Sequence, residues 1–168
     1  MSVVSKTIKY LLDKNISVST AESCTGGLLA AEFTAVSGIS KIYKTGLITY
    51  SNDSKIKNLK VKPSTIKRYG AVSRQVCAQM CLHLHKISKS QLTFSTTGVA
   101  GPNGGTKLKP VGLVFIGLYF KKNIYIDGKW VTPKSKQEIK LINPATEENC
   151  AVISLGDKED VNYAVSSA

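Results

Sequence analysis

The residue best suited to nucleophilic chemistry is Ser23, in the run Thr20-Ala21-Glu22-Ser23-Cys24-Thr25-Gly26-Gly27. It follows an alternating apolar segment (Ile16, Val18) and precedes an amphipathic one (Leu28, Leu29, Ala31, Glu32, Phe33), so it falls on a strand-to-helix turn. Backbone N–H groups at such a turn lack helical partners and carry partial positive charge, which suits a phosphate, a carboxylate or an oxyanion. A serine facing those donors is a candidate acyl-transfer nucleophile. The same residues would also serve as a plain helix cap, with Ser23 and Thr25 accepting amide hydrogens and the glycines allowing close packing.

A serine nucleophile needs a base. The two histidines, His83 and His85, share one segment, so no Ser/His/Asp triad is readable. Lysine or tyrosine remains, and Tyr50 and Lys55 flank a second strand–helix junction. Lysine serves as a base when burial or a neighbouring cation lowers its pKa towards neutrality. An exposed helix lysine and a core-packing strand aromatic are the plain alternatives for Lys55 and Tyr50. Cys77, Cys81 and His85 recur at every fourth residue and could all face a metal, but a helix with three ligands and no fourth rarely closes a tetrahedron. Two small buried thiols are the better reading, with His83 on the solvated side, and no metal is expected.

The elements that must position these residues follow from periodicity. A first helix is expected over residues 5–14, a strand over 16–20, a helix to about Ala35 and a strand over 43–50. A short helix carrying Lys55 and a Pro63-initiated helix come next. Gly70-Ala71-Val72-Ser73 leads into an amphipathic helix with Val76, Cys77, Met80, Cys81 and Leu84 on one face. A strand over 91–95 empties into a Gly-rich loop, and a last strand covers 113–120. Strands alternating with helices imply a layered α/β fold, whose parallel strands would end on one edge and let Ser23 meet Tyr50 and Lys55. The two Gly-bearing loops, at 23–27 and 97–106, match neither GxGxxG nor GxxxxGK[ST], so no nucleotide cofactor is indicated.

The chain has 168 residues and a net charge of +12. Residues 1–120 hold 16 Lys/Arg against 4 Asp/Glu, whereas 121–168 hold 7 against 7, so the whole excess lies in the first part. The lysines are scattered and little interleaved with aromatics, which makes nucleic acid a minor prospect beside an anionic metabolite. Four cysteines without a secretory leader argue for free thiols. The absence of an apolar run near the roughly 18 residues of a membrane span points to a cytoplasmic protein without membrane contact.

The motifs TAESCTGG, GLITYSNDSK, YGAVS, TGVAGPNGGT and KPVG, in this order and spacing, resemble the CinA C-terminal domain family, which includes the bacterial nicotinamide-nucleotide amidases. The resemblance covers about residues 5–120. It implies a three-layer α/β/α sandwich that hydrolyses the carboxamide of nicotinamide mononucleotide to nicotinate mononucleotide and ammonia, with no cofactor. By position it implies Ser23 as nucleophile and Lys55, aided by Tyr50, as base. Backbone donors near Cys24, Thr25, Gly26 and Gly27 would hold the oxyanion. The loop carrying Thr97, Gly98, Ala100, Gly101, Gly105 and Thr106 would hold the ribose phosphate. Members of the family often associate, so a homo-oligomer is a further expectation.

From about Lys121 these motifs stop. IDGKWV, INPAT and DVNYAV resemble the N-terminal segment of an aldehyde dehydrogenase over about residues 124–168, with a hairpin over 124–131 and a short helix over 158–166. That segment carries no catalytic cysteine, so Cys150 has no such role. The expected division is an amidase domain, 1–120, and an appendage, 121–168, that replaces the family's closing helix. A folded but inactive remnant, at most a nucleotide-binding module, is the alternative function.

Overall fold

Alternation along one strand decides the layering. In the computed structural model Val18–Glu22 (β1) is buried throughout, with burial at every position. Val18 points into an apolar cluster with Ile8, Leu11, Phe33, Ile39, Ile42 and Leu92. Ala21, of opposite parity, joins a second cluster with Leu59, Val61, Val76, Met80 and Leu84. Successive side chains on a strand face opposite ways, so the two clusters lie on opposite faces of the sheet. The structure describes residues 3–120, strand residues 124–126, 129–131, 138–142 and 149–154, and positions 159, 162 and 166.

In chain order, α1 (Val3–Asp13) precedes β1, and α2 (Leu28–Thr34) and a 3-10 turn (Ile39–Lys41) lead to β2 (Tyr43–Ile48). Three helices follow, α3 (Asn52–Leu59), α4 (Pro63–Tyr69) and α5 (Arg74–Ser88), then β3 (Leu92–Gly98) and β4 (Val114–Phe120). The sheet runs β2-β1-β3-β4, parallel except for the antiparallel β4. Residues of α1 and α2 furnish the first cluster, and residues of α3 and α5 the second, giving helix, sheet and helix layers. The chain leaves β1 for β2 on one side and returns to β3 on the other. The crevice beyond the ends of β1 and β3 is therefore a topological switch point, where α/β sheets bind ligands.

Polar strands pack on α5 because its thiols and carbonyls satisfy them. Cys77 Sγ lies 3.3 Å from Ser95 Oγ, and Ser95 Oγ donates to Cys77 O at 2.8 Å. Cys81 Sγ donates to Thr93 O at 3.1 Å. Burial pushes the Cys77 thiol up to about 11. Gly117 permits this close approach, since a Cβ there would collide with Ser95 Oγ. His85 Nδ1 is 2.8 Å from Ser90 O, with its ring on Tyr119. His83, expected on the solvated side, is half-buried with Nδ1 2.7 Å from Leu59 O, so it ties α5 to α3. Among the described residues no group of three or more His, Cys, Asp or Glu could hold a metal.

Two boundaries differ from expectation in ways that matter. The first strand runs on through Ala21 and Glu22, because both pair with β2 at Leu47 and Ile48. The second strand stops at Ile48, so Thr49 and Tyr50 leave the ladder with their carbonyls free for other donors. By contacts the chain divides into units 1–120 and 121–168. In the second, β5 (Ile124–Ile126) pairs antiparallel with β6 (Lys129–Val131), and β7 (Glu138–Ile142) with β8 (Asn149–Ser154). Of the expected helix over 158–166, positions 159, 162 and 166 are helical and the rest lie outside the described residues.

Candidate active site

Lys55 carries a charge-bearing group into the interior. It begins on α3, whose start is set by Ser51, which accepts from Ser54 N at 3.0 Å. One turn on, Lys55 is only 1% exposed. Its Nζ lies 2.9 Å from Ser23 Oγ, 2.8 Å from Thr49 O and 3.0 Å from Tyr50 O. Burial lowers its pKa from the usual 10.5, with the nearby Cys24 acting in the opposite direction. A neutral amine has two N–H donors and one lone pair. In the ammonium form all three oxygens accept from Nζ, whereas in the neutral form the two carbonyls would match the two donors and leave the lone pair for the Ser23 hydroxyl. Ser23, 7% exposed, is thus hydrogen-bonded to an amine whose orientation is fixed by backbone carbonyls.

The turn behind Ser23 is held from within. Gly26 N donates to Ser23 O at 3.1 Å, and Gly27 N to Glu22 Oε2 at 3.1 Å. The amides of Gly26 and Gly27, expected to serve an oxyanion, are therefore already occupied. The amides of Cys24 and Thr25 lie beside the Cys24 thiol, whose pKa burial raises. Thr25 Oγ1 is 2.6 Å from Glu22 Oε2 and 2.8 Å from Thr96 Oγ1, so this side chain braces the turn and does not line the cavity.

A cavity of about 310 Å³ opens above Ser23. Cys24, Tyr50 and Lys55 line one side, and Thr97, Gly98, Ala100 and Gly101 contribute from the Gly-rich loop. Gly105 and Thr106 lie off its wall: Thr106 instead closes the loop through reciprocal bonds with Lys109, 2.9 and 3.2 Å. Val99 and Gly112 anchor the other end, with Val99 N donating to Leu113 O and Gly112 N to Val99 O. Between these anchors the amides of Ala100, Gly101, Asn103 and Gly104 have no protein acceptor among the described residues. Gly101 and Gly104 sit at φ +85 and +88, the left-handed region that turns successive amides to one side. Thr97 Oγ1 is taken by Ala71 O at 3.0 Å.

Tyr50 does not pack in the core as a strand aromatic would. Its ring is 72% exposed at the cavity rim, and the contact to Lys55 is made by its carbonyl. Ala71, Val72, Val99, Asn103 and Gly104 also line the cavity without having been singled out. The signal for the first two is YGAVS, which leads into α5 and is one of the motifs that carry the family resemblance, although the resemblance gives no residue of it a site role. Lys55 is the one cationic residue on the wall, among the described residues.

A three-layer α/β domain with a serine and a buried lysine at its switch point is the class these features define. A family model described as the CinA C-terminal domain matches residues 1–145, and the chain belongs to that family. The match runs 25 residues beyond the expected boundary at residue 120. A relative from Clostridium novyi, "Putative competence-damage inducible protein", is 53% identical over 116 residues, 69% of this chain and 28% of that protein. A protein of the same name from Acetivibrio thermocellus is 50% identical over 110 residues, 66% of this chain and 27% of its own length. The chain thus spans under a third of the length of these curated relatives. The crystal structure of competence/damage inducible protein CihA from Agrobacterium tumefaciens aligns with a TM-score of 0.68 at 40% identity, covering 70% of this chain and 72% of that one. A CinA superfamily protein from Escherichia coli aligns at 0.67 and 28% identity over 98% of this chain and 85% of that one. No helix among the described residues is long and apolar enough to cross a membrane.

Proposed function

We propose that this chain hydrolyses the carboxamide of nicotinamide mononucleotide, giving nicotinate mononucleotide and ammonia. The observation that carries the reading is the 2.9 Å contact between Lys55 Nζ and Ser23 Oγ, with Thr49 O and Tyr50 O placed to take both N–H donors of a neutral amine. Neutral Lys55 accepts the Ser23 proton as Oγ attacks the carboxamide carbon. The C–N bond then breaks, and the lysine ammonium gives its proton to the departing nitrogen, which leaves as ammonia. Lys55 next takes a proton from water, whose oxygen attacks the acyl–serine ester, and the proton returns to Ser23.

The amides of Cys24 and Thr25 are the donors left for the oxyanion. The open amides of Ala100, Gly101, Asn103 and Gly104 suit a phosphate, since among the described residues the cavity wall offers no cation besides Lys55. The exposed ring of Tyr50 is set to wall the substrate rather than to move a proton. The reaction needs no cofactor and fits a cytoplasmic enzyme; self-association remains part of this proposal.

For residues 121–168 we propose a separate appendage. Its likeness to an aldehyde dehydrogenase N-terminal segment rests on IDGKWV, INPAT and DVNYAV, and the family match up to residue 145 weighs against it over that stretch. The test of the whole reading is ammonia release from nicotinamide mononucleotide by the full chain beside Ser23→Ala. Release lost in the variant supports the amidase. A cooperatively folded chain without release leaves the inactive, nucleotide-binding alternative.

A further inference from the structure

We infer that Glu22 is a positioning residue for the Ser23 nucleophile, its buried carboxylate gripping the turn from which Ser23 projects. This rests on the acyl-transfer reading of Ser23. Glu22 is 1% exposed. Its Oε2 accepts from Thr25 Oγ1 at 2.6 Å, Leu29 N at 3.0 Å and Gly27 N at 3.1 Å, and its Oε1 from Ala30 N at 2.7 Å. Buried carboxylates are ordinarily neutralised by a cation. Here, among the described residues, four N–H and O–H donors take that place.

Capping alone is a weak reason to bury a charge. The helix α2 has only seven residues, and a serine or threonine side chain at its N-cap would satisfy its amides without burying a carboxylate. The N-cap is instead Gly27, with no side-chain bond. What the carboxylate adds is reach: Thr25, held by Oε2, also meets Thr96 Oγ1 at 2.8 Å on β3. The turn is thereby fastened to the strand that ends in the cavity wall. The main chain of the same residue serves the other partner. Glu22 O accepts from Thr49 N at 2.7 Å, and Thr49 O is one of the two carbonyls that orient Lys55. One residue therefore fixes the nucleophile through its side chain and the base through its backbone.

Glu22→Gln keeps the shape but turns one terminal atom into a donor, which must face either Ala30 N–H or the three donors at Oε2. The expected result is a kcat lowered about 100-fold, the scale of a misplacement near 1 Å, with KM changed by less than about twofold. The rate at which a fluorophosphonate probe labels Ser23 should fall in parallel, and this readout does not depend on the natural substrate. Thr25→Val, which removes the middle of the brace, should slow labelling, while Thr25→Ser should restore it; this pair decides the matter if Glu22→Gln does not fold. Wild-type labelling without ammonia release overturns the substrate assignment alone. Folded variants that label and turn over at wild-type rates overturn the role of Glu22. A wild-type chain that neither labels nor releases ammonia overturns both.

Discussion

The turn after β1 and the loop after β3 leave the same edge of the sheet and line the same cavity, yet their polar groups are arranged in opposite ways. Around Ser23 nearly every donor and acceptor is taken: the carboxylate of Glu22 has four partners and the amine of Lys55 three. Around Gly101 and Gly104 the amides are open and the loop is held only at its two ends, among the described residues. Groups that react must be oriented before the substrate arrives, since orienting them during reaction adds to the barrier. Groups that recognise must be free until it arrives. On the proposed amidase reading, chemistry belongs to the first region and binding to the second, and variants in each should fail differently.

Lys55→Met should have the largest effect. It removes the base while filling much of the same volume, and kcat should fall by about 10²- to 10⁴-fold with KM little altered. Thr49 O and Tyr50 O lose a donor, so a stability loss of about 1–3 kcal/mol by chemical denaturation is expected alongside. Lys55→Arg should be equally inactive, because a guanidinium stays protonated and cannot accept the serine proton. A Lys55→Arg enzyme with wild-type kcat would erase the distinction between the two regions.

Gly101→Ala probes the loop. Its φ of +85 strains any side chain, and the new Cβ would meet Val111 Cγ1 at 2.5 Å. A left-handed conformation costs roughly 1–2 kcal/mol, which corresponds to a KM raised about tenfold with kcat near wild type in steady-state kinetics. A fall in kcat with KM unchanged would move the loop into the chemistry.

The smallest effect concerns neither region. Burial raises Cys77 to about 11 from 9.0, so the folded chain keeps a proton that the unfolded chain releases. Its contribution to stability therefore falls as pH rises from 9.0 to about 11. Lys55 runs the other way: its folded pKa is lowered, so stability rises with pH up to 10.5, the unfolded value. Urea unfolding of Cys77→Ala beside wild type isolates the thiol, and the difference between them should shrink across that alkaline window.

Much of this was legible in the sequence, for physical reasons. Apolar periodicity marks the buried face of α5 at Val76, Cys77, Met80, Cys81 and Leu84, all of which are buried. Ser23 and Lys55 stand at strand–helix junctions, and a sheet with parallel β1 and β2 brings such junctions together. What stayed hidden is set by hydrogen bonds, which leave no periodicity. Glu22 reads as one more residue of a polar turn until its four donors are seen. Tyr50 reads as a strand aromatic because nothing in YKTGLITY shows that pairing stops at Ile48. Gly26 and Gly27 read as oxyanion donors because a sequence does not show which amides are already bonded.

The pH dependence of kcat/KM for ammonia release from nicotinamide mononucleotide, compared in wild type and Lys55→Met, tests a neutral Lys55 acting on Ser23 most directly. The expected result is a rate that rises with pH through one deprotonation whose midpoint lies below the ordinary lysine value of 10.5, and a variant whose residual rate lacks that limb. A wild-type rate indifferent to pH over about pH 6 to 10, or a limb that persists without Lys55, would contradict it.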